Sequence, residues 1–128
     1  MTVTFDAAAD YVDLRIAEYS GIDALNPLDG AVGAVGTGTA VSSGTLTTTS
    51  ANTLLLGANY VQTSTKSAGT GYTSRVITTP DGNIVEDRVV TAAGAYTATA
   101  TLNTSGGWVM QLVAFRAAVV GGGGDTQA

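Results

Sequence analysis

The chain has 128 residues, of which 45% are hydrophobic and 12% charged, and its net charge is -5. These values predict one globular domain, and the acidity argues against a nucleic-acid partner, which would need a basic face. Because cysteine and histidine are both absent, disulfides, the Ser-His triad and ordinary zinc sites are excluded. No cationic start precedes an apolar run, and no apolar stretch approaches the roughly 20 residues that span a bilayer. We therefore expect neither a signal peptide in this chain nor membrane insertion.

The N-terminal residues predict two strands. Residues 2–5 form a short strand, and residues 11–20 form a second one in which Val12, Leu14 and Ile16 alternate and Glu18 follows in the same phase. A period of two directs these four side chains to the core side of the sheet. Since an unpaired buried charge is costly, Glu18 is expected either to meet a donor at the end of the core or to lie in a functional cleft.

The following residues have mostly small side chains. Residues 21–30 form a connection with room for one helical turn before Pro27. Residues 30–50 are mainly Gly, Ala, Ser, Thr and Val, which predicts either a loop or thin edge strands, with residues 45–49 the better strand. Residues 53–62 begin with apolar side chains on both faces, and this pattern predicts a central strand.

The second half of the chain predicts a hairpin and two further strands. Residues 72–79 and 84–91 are joined by Thr79-Pro80-Asp81-Gly82, in which proline presets φ and glycine supplies the positive φ of a type I turn with a bulge. Residues 94–102 alternate apolar side chains with threonine, the pattern of a strand with one buried face. Residues 108–116 are apolar on both faces and predict a central strand.

This pattern of strands predicts an all-β fold. Seven or more short strands, frequent turns and almost no helix favour an antiparallel β-sandwich of the jelly-roll or immunoglobulin-like (Ig-like) type. A β-solenoid is the rival, but it needs a fixed period of roughly 20–30 residues, and the chain has none. The predicted sandwich domain covers residues 1–120, and a Gly-rich flexible tail is expected over residues 121–128.

Three stretches carry a resemblance to a group of known proteins. Residues 13–21 (DLRIAEYSG), 80–87 (PDGNIVED) and 108–116 (WVMQLVAFR) resemble β-sandwich modules of predicted secreted or surface proteins from environmental bacteria. The resemblance extends over nearly the whole chain up to Arg116, and it implies a sandwich fold and an extracellular or cell-surface location for the parent protein. Those modules usually carry additional strands ahead of the point where this chain begins.

If such strands are missing here, part of the sheet is left uncovered. Unpaired backbone groups at a sheet edge, or an exposed apolar face, favour pairing with a second copy. We therefore predict a homo-oligomer, most simply a two-fold dimer that completes the sandwich. The alternative, weighted equally, is that the short first strand completes the sheet by itself.

Three acidic residues are the candidate catalytic groups: Glu18, Glu86 and Asp87. In the predicted strand 84–91, Glu86 and Asp87 lie on opposite faces. These carboxylates form either structural ion pairs with arginines, which is the favoured interpretation, or a pair in which Glu18 and one partner act as acid and base or nucleophile. The second interpretation describes a small, metal-independent, glycosidase-like hydrolase. The candidate arginine partners are Arg15, Arg75 and Arg88.

Aromatic residues suggest a carbohydrate site. Tyr11 and Tyr19 share a face with Asp13 and Arg15, so stacked rings and hydrogen bonds to hydroxyls would suit a polysaccharide or a cell-surface glycan. The commoner alternative is that each tyrosine covers the sheet and leaves its hydroxyl in water. Trp108, in the predicted central strand, is expected in the core.

Oxygen-bearing side chains follow the second predicted strand. Asp23, Asn26 and Asp29 have the ligand chemistry of calcium. Their spacing matches no EF-hand loop, and Asp and Asn are ordinary turn residues. Turn formation is therefore the favoured interpretation, and calcium is the one cofactor that the sequence suggests.

The sequence leaves three functions to compare. A non-catalytic surface module for adhesion or carbohydrate binding and a stalk-forming architectural unit are favoured together. Both fit an acidic chain that is rich in Thr, Ser and Gly. The alternative is the carboxylate-dependent hydrolase. Since fold alone implies no activity, the arrangement of the candidate residues has to distinguish among the three functions.

Overall fold

A computed structural model describes residues 1–119, which form an all-β antiparallel structure with no helix. The six strands are β1 (Leu28–Thr47), β2 (Thr53–Val61), β3 (Thr65–Ala68), β4 (Thr73–Ile77), β5 (Ile84–Val90) and β6 (Ala95–Arg116). Among these residues there is thus no helix of the length and hydrophobicity needed to cross a membrane.

The strands form one sheet in the order β1-β6-β2-β5-β4, and β3 also pairs with β6. The long strand β6 organises this arrangement because β1 pairs along most of its length. On its other side, β3 pairs with its first half and β2 with its second half. The sheet folds so that the two halves of β6 contribute to opposing layers of a sandwich.

One hydrophobic core lies between these layers. A Cβ atom on Gly57 of β2 would lie 3.1 Å from the Cβ atom of Ala98 in the first half of β6, so the layers approach closely there. Fully buried side chains come from both layers, and burial of such apolar surface drives the folding of the domain. The largest apolar members are Leu55, Ile84, Met110, Leu112 and Val41.

Several predictions about strands are confirmed. The hairpin forms between β4 and β5, and Gly82 in its turn has φ of 72°. Strand β2 lies between β5 and β6 as a central strand. Ala98, Ala100 and Leu102 alternate into the core as expected. All-β antiparallel pairing and the sandwich-like fold agree with the sequence analysis.

The predicted strands are too short. Of the two alternatives for residues 30–50, the edge strand is confirmed and the loop is wrong, because most of these residues form the 20-residue strand β1 at one edge of the sheet. Residues 94–102 and 108–116 belong to a single 22-residue strand, since Gly106 and Gly107 continue β6 instead of turning the chain. The described residues therefore hold six strands, two of them long, instead of seven or more short ones.

The prediction for the N-terminal residues is also wrong. Residues 2–5 and 11–20 are not strands, and residues 21–30 contain no helical turn. Val12, Leu14 and Ile16 are 50%, 57% and 66% exposed, so the side chains expected in the core remain largely accessible to solvent. The predicted Gly-rich tail, residues 121–128, lies outside the described residues.

Candidate binding cleft

Residues 11–19, here called the N-terminal strap, lie on the outer surface of the layer containing β2 and β5. Arg15 anchors the strap because its Nη1 donates hydrogen bonds to the backbone oxygens of Asn59 (2.7 Å) and Ile84 (3.0 Å). Asp13 accepts a hydrogen bond from the side-chain amide of Asn83 and lies 3.5 Å from Nε of Arg15. These polar contacts turn the Asp13 and Arg15 side of the strap towards the sheet.

Tyr19 fixes the other end of the strap. Its hydroxyl donates a 2.6 Å hydrogen bond to Oδ2 of Asp87, and Arg75 donates to both oxygens of the same carboxylate at 2.7 and 2.9 Å. The hydrogen bonds from Arg75 hold the pKa of Asp87 below its usual value. Burial, and then the Asp87 carboxylate, raise the pKa of Tyr19 to about 12. Asp87 therefore forms the structural ion pair that the sequence favoured.

Glu86 points to the opposite side of β5 and is fully buried in the core. Its Oε2 accepts a 3.0 Å hydrogen bond from the backbone N–H of Gly69, while Oε1 has no hydrogen-bond partner within residues 1–119. Burial raises the pKa of Glu86 to about 7. Burial and the nearby Glu86 raise the pKa of Tyr72 to about 12.

The three candidate catalytic acids are not brought together as a pair. Glu86 and Asp87 project to opposite faces of β5, and the Asp87 carboxylate already binds Arg75 and Tyr19. The Glu18 side chain is exposed on the strap, with the sheet between it and Glu86. A pair of carboxylates flanking one bond, as glycoside hydrolysis requires, is not formed by these residues.

The candidate calcium ligands make turn and strand contacts. Oδ1 of Asp23 accepts hydrogen bonds from the backbone N–H groups of Leu25 (2.9 Å) and Asn26 (3.0 Å), an Asx-turn arrangement. Asp29 accepts from the hydroxyl of Thr49 and pairs with Arg116 at 2.9 Å. Across residues 1–119, no three acidic, histidine or cysteine side chains gather as a metal site would require.

An open cleft of about 440 Å³ lies where β2 ends beside the β4–β5 turn. Two tyrosines line it, and both are accessible, because Tyr11 is 83% and Tyr60 51% exposed. Its size falls within the range of small-ligand sites. Polar and turn residues complete the lining, chiefly Gln62, Thr63, Pro80, Asp81 and Asn83.

Hydrogen bonds fix the floor of this cleft. Asn83 is fully buried, and its Oδ1 accepts a 2.8 Å hydrogen bond from the N–H of Val61. Oε1 of Gln62 accepts a 2.9 Å hydrogen bond from the N–H of Gly107, which orients the carboxamide and leaves its NH2 group as a donor. The backbone N–H of Thr65 donates to the Gly82 oxygen at 2.8 Å. The turn and the β2–β3 loop are therefore held together.

The backbone at Tyr11 is unusual. Its φ of 57° lies in the left-handed region, which is rare for a bulky side chain and costs on the order of 1–3 kcal/mol. Strain of this kind concentrates at ligand sites and switch regions. At Tyr11 it occurs where the strap meets the cleft.

A groove also separates the strap from the sheet. It has a volume of about 440 Å³ and is lined mainly by apolar side chains, including Leu14, Ile16, Leu56 and Phe115. Asp13, Arg15 and Tyr19 border this groove, but their polar groups are bonded to the protein as described above. Of the four residues predicted to bind a ligand, Tyr11 alone lines the cleft at the end of β2.

Sequence analysis missed the other residues of this cleft. Tyr60 lies near the end of β2, Gln62 directly follows that strand, and Asp81 lies in the β4–β5 turn, so they are up to 70 positions from Tyr11 along the chain. The available signal was the Pro-Asp-Gly turn, which placed Asp81 at a hairpin tip. No spacing rule predicts that this tip adjoins the end of β2.

Comparisons with known proteins place no further constraint on this site. No protein-family model matches the chain, and searches of curated proteins and of solved structures found no match.

Proposed function

We propose that this chain is a non-catalytic carbohydrate-binding module that holds a glycan in the cleft between Tyr11 and Tyr60. The observation that carries this proposal is the exposure of both tyrosines along one cleft that also contains polar side chains. A tyrosine ring offers an apolar face to the C–H groups of a sugar and a hydroxyl at its tip. Gln62 and Asp81 supply a donor and an acceptor for sugar hydroxyls.

The same cleft supports binding without turnover. Among residues 1–119, Asp81 is the one carboxylate that lines it, whereas glycoside hydrolysis ordinarily uses two carboxylates on either side of the scissile bond. The location of the parent protein at the cell surface or outside the cell rests on the resemblance noted above. Binding of polysaccharide or cell-surface glycan suits such a location.

Affinity measurements with variants test this function. Soluble neutral polysaccharides in a native gel, followed by calorimetry with those that retard the protein, give the dissociation constants. Tyr11→Ala and Tyr60→Ala should each weaken binding about fivefold or more, since a ring contact is worth about 1 kcal/mol or more. Val89→Ala is the control because Val89 is 73% exposed on β5 and does not line the cleft. Unchanged affinity in both tyrosine variants would contradict the proposed site.

We also propose that copies of the chain associate through the edge of β1, which would give the module an architectural role. β1 is an edge strand of the sheet, and residues 30–38 pair with β6 without a register shift. No charged residue lies between Asp29 and Lys66, so this edge lacks the charges that usually prevent strand pairing. A second β1 in antiparallel orientation would extend the sheet about a two-fold axis.

Light scattering tests this association. The parent protein should have the mass of a dimer at micromolar concentration. Val35→Lys should be monomeric, because Val35 lies on the edge strand and is 75% exposed. A monomeric mass for the parent protein would refute the association.

A further inference from the structure

A second cleft lies on the other side of Tyr60. Its volume is about 310 Å³, and it is lined by Gly36, Tyr60, Gln62, Gly107, Trp108 and Val109. Tyr60 and Gln62 line the first cleft as well. The two clefts are therefore adjacent, with one tyrosine ring and one carboxamide between them.

Trp108 is held in a fixed position beside this second cleft. Its ring lies against Gly36, where an added Cβ atom would come within 2.4 Å of the ring. The side chain packs against the hydrophobic core, and its Nε1 is buried. Trp108 pairs with Gly36 and Val61, so its ring lies on the core face of β6, opposite to the face that carries Tyr60 and Val109. Trp108 therefore supports the second cleft from the core side, and Tyr60 is the aromatic ring on the ligand side.

We propose that the two clefts are consecutive subsites for one extended glycan chain, which contacts Tyr11, Tyr60 and Val109 in turn. This inference rests on the proposed carbohydrate-binding function and adds the class of glycan. Both clefts are open, so the site accommodates an internal stretch of a polysaccharide and does not require a chain end. Gln62, between the subsites, donates to a hydroxyl near the middle of the bound stretch.

Charge specifies the ligand further. Asp81 is the one charged residue that lines either cleft within the described part of the chain, and the chain carries a net charge of -5. Neither cleft contains a lysine or an arginine to pair with a sulfate or a uronic acid. The bound glycan is therefore neutral.

The test is a length series of oligosaccharides. Calorimetry with β-glucan and xylan oligosaccharides of two to eight sugar units should show affinity rising at least tenfold with length and then levelling off. Reduction of the terminal sugar to the alditol should leave the affinity of the longest ligands unchanged. A sulfated polysaccharide of the same backbone should bind at least tenfold more weakly.

Two variants separate the subsites. Val109→Arg blocks the second cleft without removing Tyr60, and it should abolish the gain with length while short oligosaccharides bind as before. Val89→Arg adds the same charge to an exposed valine that lines neither cleft and should bind as the parent does. Circular dichroism establishes that both variants remain folded.

The outcomes distinguish this inference from the function on which it rests. Equal affinity for short and long oligosaccharides, with Tyr60→Ala still weakening binding, would overturn the extended site and leave carbohydrate binding intact. Parent-like length dependence in folded Val109→Arg would also overturn it. If no neutral glycan binds the parent protein, both proposals fail.

Discussion

Replacing the buried acid Glu86 by glutamine should change how stability depends on pH. Glu86 is fully buried, and its one hydrogen bond within the described residues comes from the N–H of Gly69. Its charged form is therefore poorly solvated in the folded protein. Glutamine has nearly the same shape and does not ionise, so the substitution removes the titration and keeps an oxygen that accepts from Gly69.

The magnitude follows from the shift in pKa. Burial raises the pKa of Glu86 from 4.5 to about 7, and each unit is worth about 1.4 kcal/mol. Because the folded state holds its proton more tightly, the stabilising contribution is fully present below pH 4.5. It is lost as the pH rises to about 7. The whole effect is about 3 kcal/mol.

Urea unfolding at several pH values between 4 and 8 measures this effect. The free energy of unfolding of Glu86→Gln minus that of the parent should increase by about 3 kcal/mol across the range. Other acids titrate equally in both proteins and cancel in the difference. Glu18→Gln is the matched control, since Glu18 is exposed, and its difference from the parent should stay constant. A constant difference for Glu86→Gln as well would refute the argument from burial.

Three further substitutions test the contacts that shape the molecule. Gly36→Ala should lower the free energy of unfolding by about 1–3 kcal/mol, because the new Cβ atom would meet the Trp108 ring. Thermal melting measures this change, and an unchanged melting temperature would contradict the close packing. Arg75→Ala removes the hydrogen bonds that hold the pKa of Asp87 low. Asp87 stabilises the fold above its unfolded pKa, and this contribution disappears as the pH falls through its folded pKa. The Arg75→Ala variant should therefore unfold at a higher pH than the parent when it is acidified. Circular dichroism during an acid titration measures this, and superimposable curves for the two proteins would refute it. Arg15→Ala should release the strap and speed chymotrypsin cleavage there, and equal cleavage rates would show that these hydrogen bonds do not hold it.

Local patterns in the sequence determine much of the fold. The absence of helical periodicity and the many alternating stretches predict an all-β chain. The Pro-Asp-Gly turn and its flanking residues predict the β4–β5 hairpin with Gly82 at positive φ, as observed. Alternation also assigns Glu86 and Asp87 correctly to opposite faces. These features depend on neighbours a few residues away, and the sequence contains that information directly.

The tertiary structure alone decides which way the strap faces and what lines the cleft. Alternation separates Val12 and Leu14 from Asp13 and Arg15, but it does not say which set meets the sheet. That choice depends on acceptors 44 and 69 residues away, the backbone oxygens to which Arg15 donates. Tyr11 meets the end of β2 through the same long-range docking. Contacts between residues so far apart in the chain produce no periodic pattern in the sequence, because each depends on the tertiary arrangement of the whole domain.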